Sequence, residues 1–389
     1  MEPTYIYMDH AATTPMHPEA LQAYQLAALQ TPGNPSSLHR WGRQARSRIT
    51  TARDSLARAL GCRPDELLFT GGGTEADNAA LFGAARAQRA RDPQRIGIVT
   101  TAVEHHAVLH AAERLAAEGF ALTVLPVDAA GRVSVADAEA AIGPATAVVS
   151  VMYGNNETGT LQPVAQLGEL ARLHGAVMHC DAVQALGYAR IDLGALPVDL
   201  LSLSAHKIGG PQGVGALYVR TGTPWEPLLY GGSQERRRRA GTENVPGIAA
   251  FGAAAQLAAD TLDARREQAE AVREALLGGL LARLGPGIVS VHGDPDCQGR
   301  LPHILNIGIE GVSNETLLMN LDLQGIAASG GSACTSGSLQ PSHVLTAMGL
   351  APHLCKNSVR FSFGLGNTIE QADKTAEITA TIVARLRKR

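Results

Sequence analysis

Between residues 65 and 220 the chain alternates short apolar runs with stretches of helical length. The runs at 67–70, 96–101, 121–125, 147–152, 176–180, 199–203 and 214–219 predict strands, and the Ala/Leu/Glu/Arg-rich stretches at 107–118 and 164–174 predict helices. Continuous apolar strands separated by helices indicate an α/β fold, a mostly parallel sheet covered on both faces. Upstream, Leu38, Trp41, Ala45, Ile49, Ala52, Leu56 and Leu60 recur at steps of three and four, which predicts an amphipathic helix capped by Ser36 or Ser37. After residue 245 the pattern gives a helix to about 284, strands near 288–292 and 304–309, and a last helix with Ile369, Ala372, Ala376, Thr379, Val383 and Leu386 on one face. That mixed order suggests a smaller α+β domain. We expect a large domain over 16–250 and a small one made of 1–15 with 251–389.

Composition narrows the class without naming a chemistry. The 389 residues are 45% hydrophobic and 18% charged, with a net charge of −3, so neither nucleic acid nor an anionic membrane is an expected partner. The run Arg236 to Arg239 reads as a solvated loop, an anion site or a contact surface. Five cysteines (62, 180, 297, 334, 355) form no C-x-x-C pair, which argues against a disulfide framework or a zinc site and fits a reducing compartment. With no apolar leader pattern and no long uncharged run, the expected location is the cytoplasm.

Candidate chemistry gathers at the ends of the predicted strands, where ligands of parallel sheets bind. Lysine is scarce: Lys207, Lys356, Lys374 and Lys388. Lys207 follows one strand in Ser204-Ala205-His206-Lys207 and precedes a glycine-rich turn, a suitable place for a Schiff base with an aldehyde cofactor. Alone, it reads equally well as a surface lysine. Asp181 follows another strand, where a buried acid would keep a pyridine nitrogen protonated; a helix cap is the competing role. Gly71-Gly72-Gly73-Thr74 joins a strand to a helix and offers backbone N–H groups to a phosphate. His105 and His106, then Asn155 and Asn156, follow two further strands. Five strand ends thus present groups suited to one phosphorylated, aromatic, aldehyde-bearing ligand. Cys334 sits among small residues from Ala328 to Ser338, a permissive segment (about 326–340) from which a thiol could move between a buried ligand and an outside acceptor. Cys180, beside Asp181 on a strand, faces the other way and reads as core.

The chain resembles a known family along nearly its whole length. The motifs include Asp9-His10-Ala11-Ala12-Thr13-Thr14-Pro15, Gly33-Asn34-Pro35-Ser36, Gly73-Thr74-Glu75, Glu104-His105, Asn155-Asn156-Glu157, Asp181-Ala182-Val183-Gln184, Ser204-Ala205-His206-Lys207, Arg239-Ala240-Gly241-Thr242-Glu243-Asn244, Gly331-Ser332-Ala333-Cys334-Thr335-Ser336 and Arg360-Phe361-Ser362. They are similar to those of the cysteine desulfurases (NifS- and IscS-like, first group) that serve iron–sulfur cluster and nitrogenase maturation, within the class V aminotransferases of fold type I.

The resemblance implies a homodimer that binds pyridoxal 5′-phosphate (PLP), takes sulfur from L-cysteine, releases alanine and leaves a persulfide on Cys334 for an acceptor such as an iron–sulfur scaffold. It implies that Lys207 carries the cofactor, Asp181 holds the ring nitrogen, His105 stacks on the ring, Gln184 touches the ring oxygen and Asn156 supports it. Gly73, Thr74, Ser204 and His206 would bind the phosphate, with Thr242 reaching in from the partner subunit. Arg360, helped by Asn34, would hold the substrate carboxylate. Lys207 or His105 would move the α-proton. No intrinsic metal is implied, beyond an open question of whether Cys334 transiently ligates an iron–sulfur cluster with a scaffold. The sequence leaves selenocysteine lyase, another class V aminotransferase and a non-catalytic scaffold as rival readings. It ends soon after the last helix, where some relatives carry a docking tail, and has Gln340 where many have an acid.

Overall fold

The structure, a computed structural model, describes residues 5–331 and 341–387. Its strands are β1 (Ile6–Tyr7), β2 (Leu67–Thr70), β3 (Gly97–Thr101), β4 (Ala121–Leu125), β5 (Thr146–Ser150), β6 (Val177–Asp181), β7 (Leu200–Ser204), β8 (Gly215–Val219), β9 (Val289–His292), β10 (Ile304–Ile309), β11 (Ile326–Ala327) and β12 (Ser358–Ser362). Seven of them form one sheet in the order β2-β8-β7-β6-β5-β3-β4. All its pairings are parallel except those of β8, which returns antiparallel to β7 and pairs antiparallel with β2. The α/β expectation therefore holds, with one reversed strand.

Period-two alternation divides the central strands between two cores. Val99, Val149, Met178 and Leu201 pack on one face; Ile98, Val148, Val177 and Leu200 pack on the other. Both faces are covered, so these strands read as unbroken apolar runs. The helix Gly73–Arg91 lies on one face, against β5, β6, β7 and β8. Cys180 is buried in the opposite core, as its position beside Asp181 suggested.

A second sheet, β12-β10-β9, is antiparallel and has its own core, which the helices Leu262–Leu284 and Ile369–Leu386 complete. The short parallel pair β1-β11 adjoins it, and an isolated bridge links Asp9 to Ser362. The chain's beginning and its last third are therefore joined.

One expected cap is corrected. The amphipathic helix runs Arg40–Leu60 and its N-cap is His39, whose ring accepts the Gly42 N–H. Ser36 belongs to the preceding turn, donating its N–H to Asn34 Oδ1 at 2.8 Å, and Leu38 is left exposed ahead of the helix. Among the described residues no single helix is long and apolar enough to cross a membrane, and no cluster of three His, Cys, Asp or Glu is arranged to hold a metal ion.

Candidate active site

A cavity of about 210 Å³ opens at the carboxyl ends of β5, β6 and β7, and ten of the residues singled out above line it: Gly73, Thr74, His105, Asn156, Asp181, Gln184, Ser204, His206, Lys207 and Arg360. Lys207 closes a 3-10 turn directly after β7, so the buried strand fixes where its side chain starts. Its ammonium donates to the carbonyls of Ala11 at 2.5 Å and Ala12 at 2.7 Å. The N-terminal segment thereby lies within reach of the strand ends.

Asp181 is the last residue of β6 and accepts the Val183 N–H at 2.9 Å. Burial pushes its pKa up to about 6, against that hydrogen bond and the Lys207 charge, which favour the carboxylate. Asp77, one turn into the helix Gly73–Arg91, also lines the cavity, and burial followed by the Asp181 charge raises its pKa well above the carboxylate range. A protonated Asp77 beside an ionised Asp181 is the arrangement two close acids favour. Beneath them His179 sits between Ser150 Oγ at 2.8 Å and Ser202 Oγ at 2.9 Å, held neutral because burial lowers its pKa to about 3.

The opposite end of the cavity is a cradle for an anion. Gly72 has φ +153, a conformation that favours glycine, and a Cβ on Gly73 would come within 2.8 Å of Val183. The helix N-terminus can thus press against the β6 turn, where its first N–H groups have no acceptor within the helix itself. Ser204 Oγ is buried there without a hydrogen-bond partner among the described residues.

His105 caps the helix His106–Ala117, its Nδ1 accepting the Ala107 N–H at 3.2 Å. Burial, then the Lys207 charge and the nearby histidines, lower its pKa to about 4. A neutral ring whose Nδ1 accepts carries its proton on Nε2. Gln184 donates to the Ala11 carbonyl at 2.9 Å and meets His303 Nε2 at 3.4 Å; His303 in turn stacks on Tyr188.

Arg360, on β12, enters from the small sheet and is fully buried. Its guanidinium donates to Asp9 Oδ1 and to the Asn156 carbonyl, each at 2.8 Å, and Nε has no partner among the described residues. A buried guanidinium with an unused donor, facing a cavity, can take a carboxylate.

A match to the model of the aminotransferase class-V family runs over residues 6–375. The chain belongs to that family.

Similar curated proteins are the "Putative cysteine desulfurase IscS 1" of Bacillus subtilis, 47% identical over 98% of this chain and 99% of that one, and the "Cysteine desulfurase IscS" of Methanosarcina thermophila, 44% identical over 98% and 93%. Among solved structures, one titled "NIFS-LIKE PROTEIN" superposes with a TM-score of 0.91 at 32% identity, covering 98% of this chain and 100% of that one. The seven-stranded sheet with helices on both faces is the fold-type-I arrangement of this class V family. Its cofactor, PLP, fits the donor set: an anion cradle with an unsatisfied Ser204 hydroxyl, a buried acid at Asp181 and a primary amine at Lys207.

Two residues on which the sequence reading relied do not line this cavity. Asn34 and Thr242 are exposed and lie elsewhere on the single chain. Cys334 lies outside the described residues. Conversely, the sequence assigns no role to Asp77, His303, Asp9 or the carbonyls of Ala11 and Ala12, although the last three residues stand in one of its motifs. Asp77 carried a usable signal: it stands four residues after Gly73, hence on the same helix face.

Proposed function

We propose that this class V protein is a cysteine desulfurase: it takes sulfur from L-cysteine, releases L-alanine and keeps the sulfur as a persulfide on Cys334. The observation that carries the reading is the convergence on one cavity of Lys207, Asp181, His105, an anion cradle and the buried Arg360, in a chain whose similar proteins bear that name. PLP, when bound, supplies an aldehyde for primary amines and a ring that accepts electrons from the substrate carbons.

The chain's own residues do the rest. Gly73, Thr74, Ser204 and His206 would hold the phosphate, Asp181 would keep the ring nitrogen protonated, Gln184 and Asn156 would orient the ring, and His105 would stack on it. Arg360 receives the substrate carboxylate. Lys207 holds the cofactor until substrate arrives; its freed amine then moves the α-proton. The Nδ1 bond of His105 to the Ala107 N–H supports this choice, since it leaves an N–H, not a lone pair, at Nε2. The Cys334 thiolate attacks the substrate sulfur: an S–S bond forms, the Cβ–S bond breaks, and the electron pair left on carbon takes up a proton to give alanine. One cysteine and one thiol thus become one alanine and one persulfide.

We also infer a homodimer, with Thr242 completing the partner's phosphate site; the exposure of Leu29, Leu38 and Trp41, each in or next to one of the first two helices, supports a partner-covered surface. A sulfur-acceptor protein, such as an iron–sulfur scaffold, would remove the persulfide. The chain divides into a large unit over 16–250 and a small one of 1–15 with 251–389; the separate core of the small sheet supports two units, while Ala254, Ala255 and Ala258, on the helix Val245–Asp260, pack into the large unit's core. The four described cysteines are all free, in keeping with a cytoplasmic setting.

The test is mass spectrometry of the holoenzyme after L-cysteine addition, with alanine assayed in parallel. We expect a gain of one sulfur on Cys334 and stoichiometric alanine. Cys334→Ala should keep the cofactor's visible band yet release no sulfide, and Lys207→Ala should be inactive. Borohydride reduction that labels any residue other than Lys207 would overturn the assignment.

A further inference from the structure

Glu157 has no part in the chemistry above, yet it is a fully buried acid in the turn that follows β5. The turn is rigidly built: Asn155 Oδ1 accepts the N–H groups of Glu157 at 2.8 Å and Thr158 at 2.9 Å, and Asn306 donates to the Glu157 carbonyl at 3.2 Å. Its carboxylate faces two places where the chain enters and leaves residues 332–340. On the far side, Ser342 Oγ donates to Glu157 Oε2 at 2.6 Å while accepting the Leu345 N–H at 3.2 Å, which caps the helix His343–Ala347. On the near side, Gly331 packs so closely that a Cβ there would lie 2.9 Å from the same oxygen, and its φ of +124 favours glycine. Glu157 Oε1 is buried with no partner among the described residues.

The near side is also tied to the substrate clamp. Ser329 and Arg360 exchange both backbone hydrogen bonds, at 3.1 and 2.7 Å, and the Arg360 guanidinium rests on the carbonyl of Asn156, next to Glu157. One turn therefore touches the carboxylate-binding arginine and both ends of the cysteine-bearing segment.

We propose that Glu157 is a positioning residue for sulfur transfer: its carboxylate clasps the two ends of the segment carrying Cys334 and sets them against the turn that holds Arg360. The proposal rests on the desulfurase reading for its function, though not for its geometry. Without the clasp the ends of the segment part, and the thiol meets the substrate sulfur less often, while cofactor and substrate bind as before.

The test compares wild-type holoenzyme with Glu157→Ala, Ser342→Ala and the double variant. Iodoacetamide alkylation of Cys334, followed by mass spectrometry without substrate, should change in rate by about tenfold, the scale of one charge-assisted hydrogen bond. In single turnovers persulfide formation should slow about tenfold, whereas the shift of the visible band on cysteine addition should keep its amplitude and its half-saturating concentration. Glu157→Gln, which can still accept from Ser342, should recover part of the rate. Ser342→Ala should add little on top of Glu157→Ala. Unchanged alkylation and persulfide rates in a folded Glu157→Ala, or fully additive effects in the double variant, overturn the proposal. If Glu157→Ala does not fold, Ser342→Ala decides by the same two rates. Should the wild type make no alanine, the desulfurase reading fails, while the alkylation comparison still reports on the clasp.

Discussion

Replacing Arg360 by lysine isolates what a guanidinium does here that a point charge cannot. Arg360 is 1% exposed and spends two of its donors on Asp9 and the Asn156 carbonyl, each at 2.8 Å, while Nε has no partner among the described residues. An ammonium keeps the charge but cannot serve Asp9, Asn156 and a substrate carboxylate together. Hydrogen bonds to charged groups contribute about 1.5–3 kcal/mol each. Losing the substrate's share should therefore cost about 2–3 kcal/mol, or roughly 30- to 160-fold in kcat/KM. The carboxylate keeps its charge throughout the reaction, so the loss belongs in KM, with kcat nearly unchanged. Steady-state alanine formation measures both. Cysteamine, which lacks the carboxylate, supplies the control: its effect on the visible band should saturate at the same concentration in both enzymes. Equal losses for cysteine and cysteamine, or a fall confined to kcat, would refute the clamp. Arg360→Ala is a harsher variant, because it strands Asp9; breaking a buried pair costs about 3–5 kcal/mol, and the partial exposure of Asp9 puts this one at the lower end.

Three further outcomes follow from the same geometry. Because burial raises Asp181 to about 6, the cofactor-free protein should lose PLP affinity as pH falls through that value, and titration of the visible band should show no such step in Asp181→Asn. Glu104, which accepts from Thr101 and Met152, is pushed up to about 8 by burial, so between pH 4.5 and 8 the folded state binds a proton that the unfolded state does not. Stability should then fall as pH rises across that window, and Tm measured against pH should be flatter in Glu104→Gln. Leu201→Ala, at a fully buried position in β7, should cost about 2–5 kcal/mol in denaturant unfolding while the holoenzyme keeps its band; a loss under 1 kcal/mol would mean that the core is packed otherwise.

What the sequence disclosed depended on how locally each feature is encoded. The central strands announced themselves because burial on both faces demands unbroken apolar runs, as in Ala147, Val148 and Val149. The site was legible wherever a group directly follows such a strand, as Lys207 and Asp181 do. Short or long-range features were not. β1 and β11 are two residues each, too brief for any periodicity. The helix Pro18–Gln30 was passed over because its buried side is Ala20 and Ala27, while the larger Leu21, Leu26 and Leu29 point outward. Asp9 pairs with Arg360 across 351 residues, and the Lys207 contacts to Ala11 and Ala12 are made to carbonyls, which every residue has. His39 displaced the expected serine cap because Ser36 and Ser37 both donate their N–H groups to Asn34 in the tighter turn ahead of the helix.

The joint at residues 155–159 explains how two sheets with separate cores can serve one reaction. Sulfur transfer needs the substrate carboxylate, its α-carbon and its sulfur located relative to groups on different parts of the chain, and reacting atoms about 3–3.5 Å apart. Lys207 and Asp181 are set by the parallel sheet, whereas Arg360 and Ser329 are set by β12 of the small one. The Asn156 carbonyl joins the second group to the end of β5 through the Arg360 guanidinium. Covalent geometry then limits the thiol. Cys334 follows Gly331 by three residues, so its backbone can lie no more than about 11 Å from that glycine. Since Gly331 packs on Glu157, this radius of about 11 Å is centred beside the turn that holds Arg360. An acceptor that collects the persulfide must bring its own nucleophile into that neighbourhood, so the distance from Gly331 to the acceptor's thiol, measured by cross-linking with reagents of stepped length, should not exceed what three residues and two side chains can span.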